Sequence, residues 1–369
     1  MISKVRVLCI LFRLILLPAT EGDFIYQDFN HTLGLVFNGN ALTSACDDSI
    51  LSNETKSSLN NRGGYESTQK TETNIGQDIN ELTNEFISQF GHRDEFKSNP
   101  VSGCPRRLRL TPSLPSQAGS VFYEKRVPVI RGFDTTFSFQ ITAQSKVCTF
   151  HIEPMASKNH HKSCAVHGGD GFAFVIHSDR NGASAIGGDG QDLGYGGIEN
   201  SLVIEFDTWT NVDTQGSNDL FNDHISVHSG SRGINSANAS TMIGNWRPAG
   251  LADGKVHRAR VQYLPYVEEK YLESMTANEI LLPFLKDDGE GRRLGTLAVF
   301  IDDGLTTSKP ILAMPLNLNI LLDLPQSLAY VGFTGSTGAK WENHDILEWH
   351  WCDSIDCQDD RDEIERGTH

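Results

Sequence analysis

Hydrophobic and polar residues alternate with period two along most of the chain from Leu108 onward. In FDTTFSFQIT, Phe137, Phe139 and Ile141 alternate with Ser138, Gln140 and Thr142, which gives a strand one apolar and one wet face. HRARVQY places His257, Ala259, Val261 and Tyr263 on one side and Arg258, Arg260 and Gln262 on the other. FAFVI (172–176) is apolar on both sides, as a central strand covered on both faces is. LAVFIDDG, LAYVGFT and DILEWHW are further short strands set off by Gly, Asp and Asn turns, with Asp302–Asp303–Gly304 reading as a hairpin turn. Many short strands with few helical stretches predict an all-β fold, a jelly-roll sandwich of antiparallel sheets.

Two segments break the pattern. Residues 47–100 are rich in Ser, Asn, Thr, Glu and Gln and read as a polar, mostly mobile insertion. Inside it Ile75, Ile79, Leu82, Phe86 and Phe90 recur at helical spacing. Residues 265–293 form a second excursion with no clear period. The first 22 residues read as a secretory signal: Lys4 and Arg6, then an apolar run from Val7 to Leu17 interrupted by Arg13, then small residues from Ala19 to Gly22. That leaves 23–369 as one domain. No later stretch approaches the roughly 20 apolar residues of a membrane helix, so no membrane insertion is expected.

Cysteine usage supports an oxidising setting, secreted or in the lumen of the secretory pathway. Outside the leader stand Cys46, Cys104, Cys148, Cys164, Cys352 and Cys357. Neighbour pairing, Cys148–Cys164 and Cys352–Cys357 with Cys46–Cys104 left over, is one of 15 connectivities. Asn30, Asn53 and Asn238 lie in glycosylation sequons. The net charge of −16 argues against nucleic acid or an anionic membrane surface as partner.

Candidate chemistry concentrates in VIEFDTWTNVDTQGSNDLFNDHISVH (203–228). Alternation sends Leu202, Ile204 and Phe206 to the core and puts Val203, Glu205, Asp207 and Trp209 on the opposite face. Jelly-roll glycosidases carry E-x-D-x-E or E-x-D-x-x-E on such a strand, since retaining hydrolysis needs two carboxyls about 5–5.5 Å apart. Here those second positions hold Trp209 and Thr210, so a glycoside hydrolase is the weaker reading and no enzyme is expected. A metal reading fits better. Asp207 and Asn211, with a backbone carbonyl between them, suit Ca²⁺, and Asp219 can return to bridge. Glu205 and His224 add an N-plus-O site suited to Mn²⁺ or another transition ion.

The order EFDTW-x-N followed by D-x-x-x-x-H-I resembles the metal-binding segment of legume-type (L-type) lectins. GGDGFAFVIH (168–177) is similar to that family's A-D-G-[LI]-A-F strand. VGFTGSTGAKWENHDILEW (331–349) is similar to its closing strand pair, and GLVFNGNAL and FSFQI to its opening strands. The resemblance implies a concanavalin-like jelly roll that binds glycans or glycoproteins without turnover, holding Ca²⁺ and a transition ion.

Carried over by position, it implies that Glu205, Asp207, Asp219 and His224 hold the transition ion. Asp207, the carbonyl of Trp209, Asn211 and Asp219 would hold Ca²⁺. The sugar would be gripped by Asp170, by the Asn211 amide and by a glycine N–H of loop 187–197, with Gly188, Gly196 and Gly197 as candidates. The resemblance also implies a cis peptide at Gly169–Asp170. Gly335 to Trp341 would set sugar preference through Ala339 and Trp341, the latter stacking on a sugar or simply packing. Asp213 and Asp223 compete with Asp219 as bridging acid, and Asp219 keeps five residues to His224. Glu342 and His344 read as structural residues of the last strand. Asn159, His160 and His161 read as a solvated loop. Shallow single sites bind weakly, so useful avidity calls for a homo-oligomer whose mode the chain does not specify. The alternative from another class is a metal-stabilised adhesion or scaffold protein that binds a protein partner.

Overall fold

The computed structural model describes residues 23–45, 105–152, 160–211, 219, 223–247, 250–275, 279, 282–285 and 294–355. The expected leader, the whole polar insertion with its helical period and Asn53, and Cys46, Cys104, Asn159, Asp213 and Cys357 lie outside them. The described strands, from residue 23 to Ser44 and from Arg107 onward, belong to one compact unit.

Two antiparallel sheets form the body. The back sheet runs in the order β16 (Leu312–Leu316), β15 (Gly295–Ile301), β14 (Val256–Leu264), β7 (Phe133–Thr142), β18 (Asn343–Cys352), β4 (Arg107–Thr111) and β3 (Leu42–Ser44). Strand β1 (Phe24–Tyr26) also pairs with β18. The front sheet runs β13 (Met242–Trp246), β12 (His224–Ser229), β11 (Ser201–Asp207), β10 (Gly171–His177), β17 (Leu328–Ser336), β5 (Ala118–Tyr123) and β2 (Leu35–Gly39), with β6 (Val127–Pro128) on β17. This is the all-β sandwich that the alternation predicts.

The core is the layer between the sheets. Phe137 and Phe139 from the back meet Phe172, Phe174, Phe206 and Phe333 from the front, all fully buried. Phe172 and Phe206 stack with centroids 4.7 Å apart, and Phe333 meets Phe137 and Trp349 edge-on at 4.9 Å each. Burying such a ring contributes about 1.5–3 kcal/mol, so this cluster dominates cohesion between the layers. Leu202, Ile204 and Phe206 point into it as the alternation requires.

The outer face of the front sheet is buried as well. The chain after β10 folds back across it, and Ala185, Leu193, Tyr195 and Ile198 cover Ala173, Val175 and Val203. Strands β10 and β11 are therefore buried along their whole length.

Two connections differ from the sequence expectation. The Asp302–Asp303–Gly304 turn is a short helix, α1 (Asp303–Thr307), joining β15 to β16. His160 and His161 lie in a strand, not a solvated loop: β8 (Ser145–Ile152) and β9 (His160–His167) form a separate hairpin, with Cys148 opposite Cys164. The described part of 265–293 holds two short 3-10 turns, Glu269–Ser274 and Leu282–Phe284. Tyr271 from the first packs on Phe300 of the back sheet.

Candidate functional site

The site grows from the register of three front-sheet strands. Asp207 lies opposite Gly171 of β10 on one side and His224 of β12 on the other, and Glu205 lies opposite Ser226. Residues 205 and 207 share a face, and His224 sits across from one and diagonal to the other, within side-chain reach. One ligand atom from each of Glu205, Asp207 and His224 lies within 4.8 Å of the other two, all buried. Gly171 makes the close approach feasible, since a side chain there would press a Cβ to 2.3 Å from the Phe206 carbonyl.

Glu205 is enclosed. Tyr195 donates its hydroxyl to Oε2, while Ser226 Oγ donates to Oε1 at 3.1 Å and His224 Nε2 stands 3.2 Å from Oε1. Burial pushes its pKa up, but His228, His224 and Tyr195 outweigh that and hold the carboxyl at about 2. Asp207 is driven the other way, well above the carboxylate range, by burial first and then by Glu205 and Asp219. Burial likewise raises Tyr195 and lowers His228. A second carboxylate charge is thus disfavoured beside Glu205, which is the imbalance a divalent cation relieves.

Asn211 and Asp219 are tied together beside this cluster. The Asn211 N–H donates to Asp219 Oδ2 at 2.6 Å, and the Asp219 N–H donates to the Asn211 carbonyl at 3.3 Å. Asp219 is outside the three-residue cluster, but its charge acts on Asp207, and its own pKa is raised by burial against the opposing Asn211 amide and His224. Asp223 points elsewhere, with Oδ2 accepting from the Leu251 N–H at 2.9 Å. The Trp209 N–H donates to Asp207 Oδ1 at 2.6 Å, which folds the chain back after β11.

Asp170 closes the group. The Gly169–Asp170 peptide is cis, and the Asp170 carbonyl accepts from both the N–H and the hydroxyl of Thr208. Its Oδ2 is buried with no hydrogen-bond partner, and so is Asn211 Oδ1. Burial, Glu342 and Asp189 together raise Asp170 to about 7. Two orphaned acceptors beside two carboxylates and an imidazole form a donor set that fits a hard cation and a transition ion.

The glycine loop is arranged differently from the expectation. Gly188, Gly196 and Gly197 donate their amides to the carbonyls of Gly196, Asp192 and Asn235, so all three are already engaged. The part of the loop nearest Asp170 is Asp189–Gly190: a Cβ built on Gly338 would lie 2.8 Å from Asp170 Oδ2 and 3.4 Å from Gly190. Ala339 is exposed beside this point, and Trp341 is half-buried with its carbonyl accepting from the Ser145 N–H at 2.8 Å.

Sequence reasoning missed Tyr195 and His228, although H-x-S-x-H over 224–228 puts His224, Ser226 and His228 on one strand face. It also underrated Glu342. That carboxyl is fully buried, accepts from Thr208 and sits 3.3 Å from His344 Nε2, while His344 Nδ1 meets Thr111. Only a glycine at 168 leaves room for it. Its Oε2 has no partner, and its charge reaches both Asp170 and Asp223.

Residues 84–366 match the legume lectin domain. A lectin-like protein of Arabidopsis thaliana is 27% identical over 272 residues, covering 70% of this chain and 76% of that protein. Among solved structures, the lectin of Bauhinia forficata in complex with GalNAc aligns with a TM-score of 0.47 at 17% identity, covering 89% of this chain and 96% of that one. The exoplasmic/lumenal domain of VIP36, in its Ca²⁺/Man3GlcNAc-bound form, aligns with a TM-score of 0.41 at 16% identity, covering 68% and 81%. With the domain match spanning most of its length, the chain belongs to the legume lectin family.

Proposed function

We propose that this protein is a metal-dependent lectin that binds glycans or glycoproteins without chemical turnover, outside the cell or in the lumen of the secretory pathway. The observation that carries this reading is the pair of buried, unpartnered acceptors, Asp170 Oδ2 and Asn211 Oδ1, set beside the Glu205–Asp207–His224 cluster. Glu205, Asp207, Asp219 and His224 would hold a transition ion such as Mn²⁺. Asp207, Asn211, Asp219 and the Trp209 carbonyl would hold Ca²⁺. The ions supply positive charge that ionises the carboxylates and fixes Asn211 and Asp170.

Asp170 would then accept from sugar hydroxyls, and Asn211 would help hold the cation and offer its amide protons to the sugar. The loop donor would come from the stretch 187–197, in which Gly188, Gly190, Gly196 and Gly197 already donate their amides within the fold. Binding without turnover is supported by the enclosure of Glu205, whose two oxygens are both held and which has Trp209 and Thr210 where a partner carboxyl would stand. The exported setting is supported by the signal-like leader, by exposed Asn30 in its sequon and by the hairpin register that sets Cys148 opposite Cys164. No helix among the described residues is long and apolar enough to cross a membrane.

A glycan array read with Ca²⁺ and Mn²⁺, and again after EDTA, tests the reading on the wild type and on Asp170→Ala. Signal that needs both the metals and Asp170 supports it. A flat array from well-folded, metal-loaded protein sinks it and favours the protein-binding scaffold.

A further inference from the structure

We propose that Tyr195 positions Glu205 for the transition ion and, through that bond, ties occupancy of the ion site to the order of the glycine loop, residues 187–197. The proposal rests on the metal-dependent reading and deepens it. Tyr195 is fully buried, and its ring clusters with Val203 on the outer face of β11. Glu205 is the next residue on that face, and the Tyr195 hydroxyl donates to its Oε2. Packing does not ask for that hydroxyl. The side chains clustered with the ring, among them Phe122, Val175, Leu193 and Ile198, are apolar, so a phenylalanine would fill the same space.

The hydroxyl instead fixes a carboxylate. Ser226 Oγ donates to Glu205 Oε1 at 3.1 Å, and His224 Nε2 stands 3.2 Å from the same oxygen. Tyr195 therefore holds the other oxygen and leaves Oε1 toward the imidazole that completes the cluster with Asp207. A phenol on a carboxylate makes a charge-assisted bond, one of the stronger kinds of hydrogen bond in a protein. Groups in this place orient a ligand before the ion arrives, and removing one typically weakens metal binding by about 10–100-fold.

The same residue is a hub of the loop. Its N–H donates to the Asp192 carbonyl and its carbonyl accepts from the Ile198 N–H, both at 2.9 Å. Gly187 and Gly188 donate to the carbonyls of Gly194 and Gly196 and close the loop around it. A second attachment runs to β17, where Thr334 donates to the Leu193 carbonyl at 2.9 Å and Ser336 to the Gly190 carbonyl at 2.5 Å. That attachment joins neutral groups, whereas the one through Tyr195 ends on a proposed metal ligand. Whatever the hydroxyl adds to ion affinity, the ion returns to the closed loop, because coupling between two equilibria is reciprocal.

The test uses the full chain, stripped with EDTA and titrated with Mn²⁺ by calorimetry, with hydrogen exchange of peptides from 187–197 read in parallel. Wild type should bind Mn²⁺, and the ion should slow exchange in the loop, whose bonded amides exchange only when it opens. Tyr195→Phe keeps the ring and loses the hydroxyl. It should bind Mn²⁺ about tenfold more weakly and, at saturating Mn²⁺, show no slowing. Ser226→Ala removes the donor on the other oxygen, from β12 and not from the loop, so it should weaken Mn²⁺ binding but keep the slowing at saturation. Wild-type affinity in Tyr195→Phe, slowing that persists in it, or slowing lost equally in Ser226→Ala overturns the coupling. Should Tyr195→Phe not fold, wild type alone decides: Mn²⁺ that binds without slowing the loop overturns the coupling as well. If wild type binds no Mn²⁺, the metal-dependent reading falls and the coupling with it.

Discussion

Both sheets bury carboxylates, and they treat them in opposite ways. On the back sheet Asp345 faces Arg109, with Nε at 2.7 Å from one oxygen and Nη2 at 2.8 Å from the other, and Arg107 adds a third contact at 3.5 Å. Asp134 is fully buried and held by both Arg260 and Gln262. On the front sheet Asp207, Glu205 and Asp170 gather without an arginine or lysine contact among the described residues, and two acceptor atoms there have no partner. A buried acid that the chain neutralises itself is part of the scaffold. A cluster of buried acids with no arginine or lysine against it is where the proposed cation would act.

The largest effect expected from this contrast is on the back sheet. Asp345→Ala leaves Arg109 buried and uncompensated and should destabilise the fold by about 3–5 kcal/mol in urea unfolding, with or without Ca²⁺. On the front sheet the corresponding change behaves differently. Asp207→Asn removes a carboxyl that Glu205 and Asp219 already disfavour in charged form, so in EDTA the variant should be at least as stable as wild type. What it should lose is the response to metal. At a hundred times the dissociation constant, an ion that binds only the folded state adds about 2.7 kcal/mol, and Asp207→Asn should show none of it. A chelated variant that unfolds earlier than chelated wild type would erase the distinction between the two sheets.

The sequence carries the front-sheet cluster more openly than the back-sheet pairs. Glu205 and Asp207 are two apart on one strand, and His224 opens the next, so alternation and antiparallel pairing suffice to bring them together. The aromatic core is legible for the same reason, as Phe137 and Phe139 alternate with polar residues. Arg109 and Asp345 are separated by most of the chain, and nothing local marks them as partners. Glu342 is similar: its neighbour in sequence is a final strand, and only the fold brings it to Thr208 and Gly168. The glycine loop and the β8–β9 hairpin were the least legible parts. A loop's amides can be assigned only once its carbonyl partners are known, and the hairpin tracks Cys148 and Cys164, not a hydrophobic alternation.

pH sharpens the comparison at intermediate magnitude. Asp170 titrates near 7 in the metal-free fold against about 4 in an unfolded chain, because burial and the charges of Glu342 and Asp189 favour its protonated form. Between those values the folded state holds more protons than the unfolded one, so stability in EDTA falls as pH rises from about 4 to 7. Bound cations would reverse the preference at Asp170 and flatten this loss. Unfolding midpoints across that pH range, with EDTA and with Ca²⁺ plus Mn²⁺, should therefore diverge as pH rises, and Asp170→Asn should narrow the gap. Parallel curves in wild type would mean that the front acids do not respond to a cation.

The smallest effect sets the floor for all of these measurements. Arg258 and Glu348 also pair on the back sheet, at 3.8 Å, but each side chain is about half exposed, 47% and 46%. Water screens such a pair and solvates either partner left alone, so Arg258→Ala should cost no more than about 0.5 kcal/mol and weaken further in salt. Set beside Asp345→Ala on the same sheet, it contrasts a loose, half-exposed arginine–carboxylate contact with an enclosed bidentate one. If the two variants lose similar stability, enclosure is not what separates the self-neutralised acids of the back sheet from the rest. If they differ as expected, the same rule applies to the front sheet, where the acids are just as enclosed and the proposed ion would supply the charge that no arginine or lysine brings.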